Sequence, residues 1–197
     1  VQTHTSIRMN FLEEAYEAVD AFDLDDPVLM CEELGDVLMQ VAFHTCMEQE
    51  TGRFTWEQVC DGVCQKLIER HPNIFGTQPG YEGITDWDAL KNKEKGRRTL
   101  ADDLESVPRA MPALMRAAKL QKRAARHGAA LQGADAAALA DAAENLQTAQ
   151  PASAQAEQAV GELLFAAANL ARQAGVDPEQ ALQKANEAFC TAAGPVA

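Results

Sequence analysis

Ile7, Phe11, Leu12, Ala15, Val19 and Phe22 return every three or four positions, and from Val37 to Met47 apolar residues cover most of a helical circumference. That period belongs to helices, not to strands, whose side chains alternate every second residue. Asp26-Pro27 lies between the two runs, and an acidic N-cap followed by a first-turn proline opens a new helix there. The predicted unit is an antiparallel helix pair, its second member running from about Pro27 to Glu50 and ended by Gly52.

The same reading continues along the chain. Thr55-Trp56-Glu57-Gln58 is a capping box for a third helix, which His71-Pro72 stops. Residues 76 to 106 are less regular, with a short helical piece expected near Trp87 to Lys95. A further helix is expected over Pro112 to His127, ended by Gly128. From Ala129 to Gln155 the chain is mostly Ala, Gln, Asp and Gly, and is expected to be a loosely helical or disordered connector. Glu157 to Arg172 and Pro178 to Phe189 are two more helices, Asp177 capping the second. Strand signals are essentially missing, so the expected class is all-α.

Charge narrows the partners. Seventeen basic against 30 acidic residues give a net charge of -13, and such a field repels duplex nucleic acid and anionic membrane surfaces. No run approaches the ~18 apolar residues of a membrane span and no signal peptide is visible. Cys31, Cys46, Cys60, Cys64 and Cys190 are odd in number and sit mostly within helical patterns, which suits reduced thiols and a cytoplasmic location. The chain begins at Val1 without methionine, so an upstream piece is expected to be missing.

The helix pair carries more acid than its apolar pattern explains. At about 100° per residue, Glu14 and Glu17 lie about 60° apart at the edge of the apolar arc, and Glu33 and Asp36 do the same on the second helix. With the turn centred near residues 24 and 25, Glu17 and Glu33 fall at one height, Glu14 and Asp36 at the next. Folding the hairpin therefore builds a four-carboxylate square. Four anions so close repel strongly unless protonated or neutralised, which predicts a divalent cation. All-oxygen ligands favour Mg²⁺, Mn²⁺ or Ca²⁺, and Mg²⁺ retains positions for water and substrate phosphates.

Three other accounts compete with a metal site. A solvated acidic face is the common fate of Glu-rich helices, but few Lys or Arg partners occur between residues 9 and 52. A di-iron centre needs a histidine three residues after a ligand glutamate, and positions 17 and 36 hold Glu and Asp. Cys60 and Cys64 share a helical face, yet zinc needs two further soft ligands and no second pair follows. Among basic residues, Lys66 and Arg70 are one turn apart on the third helix, and Arg116, Lys119, Lys122, Arg123 and Arg126 form a stripe on the Pro112 helix. The stripe serves either as a solvated face or as the holder of a ligand's anionic part.

"LEEAYE" followed by "EELGD" resembles the EExxE…ExxD signature of the all-α nucleoside triphosphate pyrophosphohydrolases. "GRFTWEQVCDGVCQKLIERHPNIFG" and "SVPRAMPALMRAAKLQKRAARHG" are similar to the MazG family specifically, and the likeness spans nearly the whole chain. The resemblance implies Mg²⁺-dependent hydrolysis of a nucleoside triphosphate to the monophosphate and pyrophosphate, with Mn²⁺ a possible substitute, and homodimerisation. It implies metal ligands Glu14, Glu17, Glu33 and Asp36, a water-orienting Glu13, catalytic Lys66, and substrate contacts from Lys66, Arg70, Lys119, Lys122 and Arg123.

A weak internal repeat accompanies it. "EELGDVLMQVAFH" returns as "QAVGELLFAAANL", setting Ala159 where Glu33 stands and Glu162 where Asp36 stands, while Ala188 takes the place of Lys66. The expected organisation is a first module over 1–75, a connector over 76–106, and a second, degenerate module over 107–197 with an Ala-rich insert at 129–155. No clear EExxE partner is visible in that insert. The alternative function is a catalytically weak regulatory or scaffolding dimer that binds nucleotide or a protein.

Overall fold

A computed structural model describes residues 2–75 and 94–194 of the chain. It divides into two compact units, Val1–Thr85 and Asp86–Ala197. Helices dominate both, and no strand occurs among the described residues. The protein is all-α.

In the first unit, α1 (His4–Asp23) begins at a capping box in which Thr3 and Ser6 satisfy each other's backbone amides. It stops where Asp25 adopts a left-handed conformation, φ 54°. Asp26 then accepts hydrogen bonds from Val28 and Leu29 N–H at 2.9 and 3.2 Å and opens α2 (Pro27–Glu50). The tight turn lays α1 along α2, with Ile7, Ala18 and Ala21 buried. Thr55 and Gln58 form the expected capping box of α3 (Trp56–Arg70), which packs on α2 and gives way at His71 to the single turn α4 (Pro72–Phe75).

α2 leaves much of its apolar surface open. Its buried residues are Gln40, Thr45 and Glu48, whereas Leu34, Leu38 and Phe43 remain about half exposed, as do Tyr16 and Val19 on α1. Two helices and a third against one side cannot cover an apolar surface that extends around most of a cylinder.

The second unit contains α5 (Leu100–Glu105), α6 (Ala113–Arg126), α7 (Ala136–Thr148), α8 (Ala154–Gln173) and α9 (Pro178–Ala193). Its interior is made of small side chains: Ala124, Ala134, Ala142, Ala159, Ala166 and Ala168 are buried, with Val107 beside them. The connector expected over 129–155 is corrected here. Asp135 accepts from Ala138 N–H at 2.8 Å and starts α7, which packs along α8 as α1 packs along α2. Alanine is the strongest helix former, and its methyl group lets two helices approach closely, so a segment with little bulk to bury still folds. The helix expected near Trp87 to Lys95 falls almost wholly outside the described residues.

α6 is held by a buried ionic knot. Asp103 on α5, 1% exposed, faces Arg123 at 3.0 Å, Arg126 at 2.9 Å and His127 at 3.1 Å. Arg123 also donates to the Asp103 carbonyl and to the Ser106 hydroxyl. α8 ends at Gly175, whose φ of 72° lets the chain reverse through Val176 and Asp177 into α9. Asp177 caps α9 by accepting from Gln180 N–H at 3.0 Å.

Candidate functional site

The α1–α2 turn sets the register of everything on the hairpin. Counting back from Asp25 and forward from it brings Glu17 and Glu33 to the same height, with Glu14 one turn farther along α1. The structure brings these three together: an oxygen from each of Glu14, Glu17 and Glu33 lies within 4.8 Å of the others. It is the one group of three or more potential ligand side chains so placed among the described residues.

Asp36 does not join that triangle. It stands beside it, half-buried on α2, close enough for its charge to act on Glu33. The four-cornered square is thus a triangle with a fourth acid adjacent, and Gln40 reaches the triangle from α2. Its side chain, 4% exposed, donates from Nε2 to Glu14 Oε1 at 3.3 Å, so Glu14 leans along α2 toward the residue one turn past Asp36. Sequence reasoning missed Gln40. Its i+4 spacing from Asp36 was the available signal, since that places both on one face.

The surroundings compensate these charges poorly. Glu17 is held above the ordinary carboxylate range, first by desolvation, then by the charges of Glu33, Glu14 and Glu13. Glu33 is raised likewise, first by desolvation, then by Glu32, Asp36 and Glu14. None of Glu14, Glu17 and Glu33 takes part in an ion pair among the described residues. The donor set fits a hard divalent cation: three carboxylate oxygens within 4.8 Å of one another fall in the range of about 3 to 5 Å that separates oxygen ligands around Mg²⁺ or Ca²⁺. Glu13 is exposed on the same helix and contributes to the field at Glu17.

The basic residues divide. Lys66 is exposed on α3 and makes no ion pair among the described residues, and Arg70 follows one turn later. In the second unit the stripe of α6 splits along the helix axis. Lys119 and Lys122 line a cleft together with Arg172, whereas Arg123, 6% exposed, is turned inward onto Asp103. Arg123 was expected to touch substrate; its guanidinium is instead a brace between α5 and α6, committed where a ligand has no access.

The second unit repeats the order of the first, a hairpin followed by a third helix, and it too has acids near the turn. Asp141 and Glu162 line one cavity of about 720 Å³ between α7 and α8, with Asn145 and Gln132. Asp141 and Glu144 have the i,i+3 spacing of Glu14 and Glu17, a signal obscured in the sequence by the surrounding alanines. They do not converge with Glu162 into a cluster like that of the first unit.

An all-α chain with a three-carboxylate site at the turn end of a helical hairpin is the class that fold and geometry define. Comparison with known proteins narrows it. Residues 2–75, the whole described part of the first unit, match the MazG nucleotide pyrophosphohydrolase domain. The chain is 39% identical over 197 residues to the nucleoside triphosphate pyrophosphohydrolase of Escherichia coli, covering 95% of this chain and 75% of that one. It is 38% identical over 190 residues to the nucleoside triphosphate pyrophosphohydrolase/pyrophosphatase MazG of Thermotoga maritima, covering 95% and 73%. A nucleoside triphosphate pyrophosphohydrolase of Mycobacterium tuberculosis is 37% identical over 131 residues, 64% of this chain and 39% of its own. The chain belongs to the MazG family.

Proposed function

We propose that this protein is a divalent-metal-dependent nucleoside triphosphate pyrophosphohydrolase whose working site is the α1–α2 hairpin. The observation that carries the reading is the convergence of Glu14, Glu17 and Glu33 within the segment matched by the pyrophosphohydrolase domain. The names of the relatives supply the reaction: a nucleoside triphosphate and water give the monophosphate and pyrophosphate.

Glu14, Glu17 and Glu33 would hold the metal, with Asp36 completing the set by a change of rotamer, and Mg²⁺ matches a substrate rich in phosphate oxygens. The ion, when bound, lowers the pKa of water and offsets charge on phosphate oxygens. The remaining work falls to the chain. Gln40 restrains the Glu14 carboxylate, fixing which oxygen faces the cluster. Glu13, exposed on the same helix as Glu17, would orient the attacking water and accept its proton. Lys66 and Arg70, one turn apart on the helix packed along α2, supply positive charge for the leaving pyrophosphate. The half-exposed apolar residues of α1 and α2 would be covered in a homodimer. No described helix is long and apolar enough to cross a membrane and all five cysteines are free thiols, features consistent with work on a cytoplasmic nucleotide pool.

The test is product analysis. Purified protein incubated with a nucleoside triphosphate and Mg²⁺ should yield monophosphate and pyrophosphate without diphosphate on anion-exchange chromatography, and Glu17→Gln should abolish the yield. Turnover by Glu17→Gln at the parent rate would remove the hairpin from consideration. The rival reading, a binding or scaffolding dimer, rests on the failure of Asp141, Glu144 and Glu162 to converge in the second unit, and metal-dependent monophosphate production disposes of its inactive form.

A further inference from the structure

Two of the chain's 4 histidines meet at the open end of the α1–α2 hairpin, away from the turn and its carboxylates. His4 opens α1 and His44 stands in the last two turns of α2, with their Nδ1 atoms 2.6 Å apart. The ring planes differ by only 6° while the centroids are 4.9 Å apart. Parallel planes cannot be farther apart than the nitrogens they hold, so the rings meet edge to edge, nitrogen toward nitrogen, and do not stack. Both are half-buried, and Phe11 turns its ring edgewise onto His44.

The proton positions follow by elimination. Glu48, buried on α2, is paired with Arg53 through both oxygens, Oε1 at 2.6 Å from Nη2 and Oε2 at 2.6 Å from Nε. A carboxylate so paired only accepts hydrogen bonds. His4 Nε2 also touches Glu48 Oε1, so that nitrogen carries a proton. The contact between the two Nδ1 atoms then needs one proton, and has room for no more than one. In the neutral pair His44 donates from Nδ1 and His4 accepts. One added proton leaves the bond in place, whichever ring holds it. A second sets two N–H groups head on, and the contact cannot persist. The cations nearby weigh against that second proton: Arg53 lies behind Glu48, and Arg8 of α1 lines the same cleft as His44, to which α3 contributes Val59.

We propose that His4, His44 and Glu48 form an acid-released latch, which ties the start of α1 to the end of α2 while the two imidazoles share at most one added proton and lets go when they carry two. Release would loosen α1 ahead of Glu14, while the Asp26-capped turn still holds the other end of the hairpin. The unfolded chain takes up two protons where the latched fold takes one. The unfolded state therefore binds more protons in acid, and the latch's contribution to stability is lost as pH falls. The device is independent of hydrolysis, because neither metal nor nucleotide enters it.

Nitrogen NMR of the histidine rings on the full chain in EDTA tests it, with His4→Gln and His44→Gln assigning the signals. At pH 8 His4 should be protonated on Nε2 and His44 on Nδ1, a pair of tautomers that the contacts impose. Thermal melts of the parent and of His4→Gln/His44→Gln, from pH 8 down to pH 5, supply the second readout. The parent should melt about 4 °C higher at pH 8, the worth of one net hydrogen bond in a unit of this size, and should lose that advantage toward pH 5. Comparing the two chains at each pH cancels the contribution of Glu17 and Glu33, which both retain. Protonation of both rings on Nε2 alone at pH 8 overturns the proposal, since nothing would then bridge the Nδ1 atoms. An advantage that is constant or grows on acidification also overturns it, because the rings would then serve as packing only. If the double variant does not fold, amide exchange in the parent decides. Protection from Ile7 to Phe11 that falls toward pH 5 faster than protection along α2 beyond Asp26 supports the latch, and an equal change at both ends refutes it.

Discussion

Replacing Asp103 by alanine should be the most damaging single change in the second unit. The carboxylate is 1% exposed and is shared by Arg123, Arg126 and His127 at 3.0, 2.9 and 3.1 Å. Of these, Arg123 is 6% exposed and cannot swing out to water when its partner is removed, so the variant buries an uncompensated cation. Removing one member of a buried pair costs about 3–5 kcal/mol. At roughly 3–6 °C per kcal/mol for a cooperative unit of this size, that is a fall of about 10 °C or more in the transition that reports the second unit. Circular dichroism at 222 nm against temperature, with urea titration for the free energy, measures it. A matched control separates charge from packing: Asp103→Leu with Arg123→Met removes both charges, and apolar replacement of a buried pair is close to neutral or stabilising. A loss under about 1 kcal/mol for Asp103→Ala, or a double variant no better than the single, would refute the reasoning.

In the first unit, Gln40→Leu should weaken Mg²⁺ binding by about 10- to 100-fold while leaving a folded protein, because it removes a group that orients a ligand oxygen, not the ligand itself; unchanged affinity by calorimetry would separate Gln40 from the site. Glu33→Gln should lower Mg²⁺-dependent turnover at least about a hundredfold, and a smaller drop in steady-state assays would remove it from the ligand set. For pH, Glu17 and Glu33 are raised from the ordinary 4.5 in the metal-free fold, so their contribution to stability is full below that value and is lost as pH rises through their folded pKa values. The gap in Tm between Mg²⁺ and EDTA should therefore widen from pH 4.5 upward, and a gap that is flat or closing would contradict the repulsion inferred here. Ala152→Gly should stabilise the second unit by up to about 1 kcal/mol, because Ala152 holds φ 56° where a Cβ is strained; a destabilised variant in urea titration would show that the strain is offset by contacts of the methyl group.

Legibility differed between the units for a physical reason. In the first, caps and breakers coincide with the apolar period: Thr55, Asp26-Pro27 and Gly52 all sit where the helices start and stop. Local rules decide such boundaries, and local rules can be read from a string. The α7 segment defeated that reading because α7 is rich in alanine and packs along α8, with Ala142 on the first helix and Ala166 on the second buried. A hydrophobic-bulk criterion scores such a face as weak. At the site, hairpin counting found Glu17 facing Glu33, since both heights follow from the turn. It could not find the lean of Glu14 toward Gln40 or the inward turn of Arg123, because each depends on a side chain from another helix.

That contrast explains why the stripe on α6 misled. By angle alone Arg123 and Lys119 differ by about 40°, too little to send them to different surroundings. Height separates these two, one turn apart, whereas Lys122 and Arg123 stand at almost one height and are separated by about 100° of angle, so the division between cleft and knot follows both coordinates. A buried carboxylate recruits any cation within reach, since leaving either charge alone costs several kcal/mol. Once Arg123 and Arg126 are taken, Lys119 and Lys122 remain beside a cleft that Asp177 also lines, and neither makes an ion pair among the described residues. The same accounting applies in reverse to the first hairpin, where acids without cations gather.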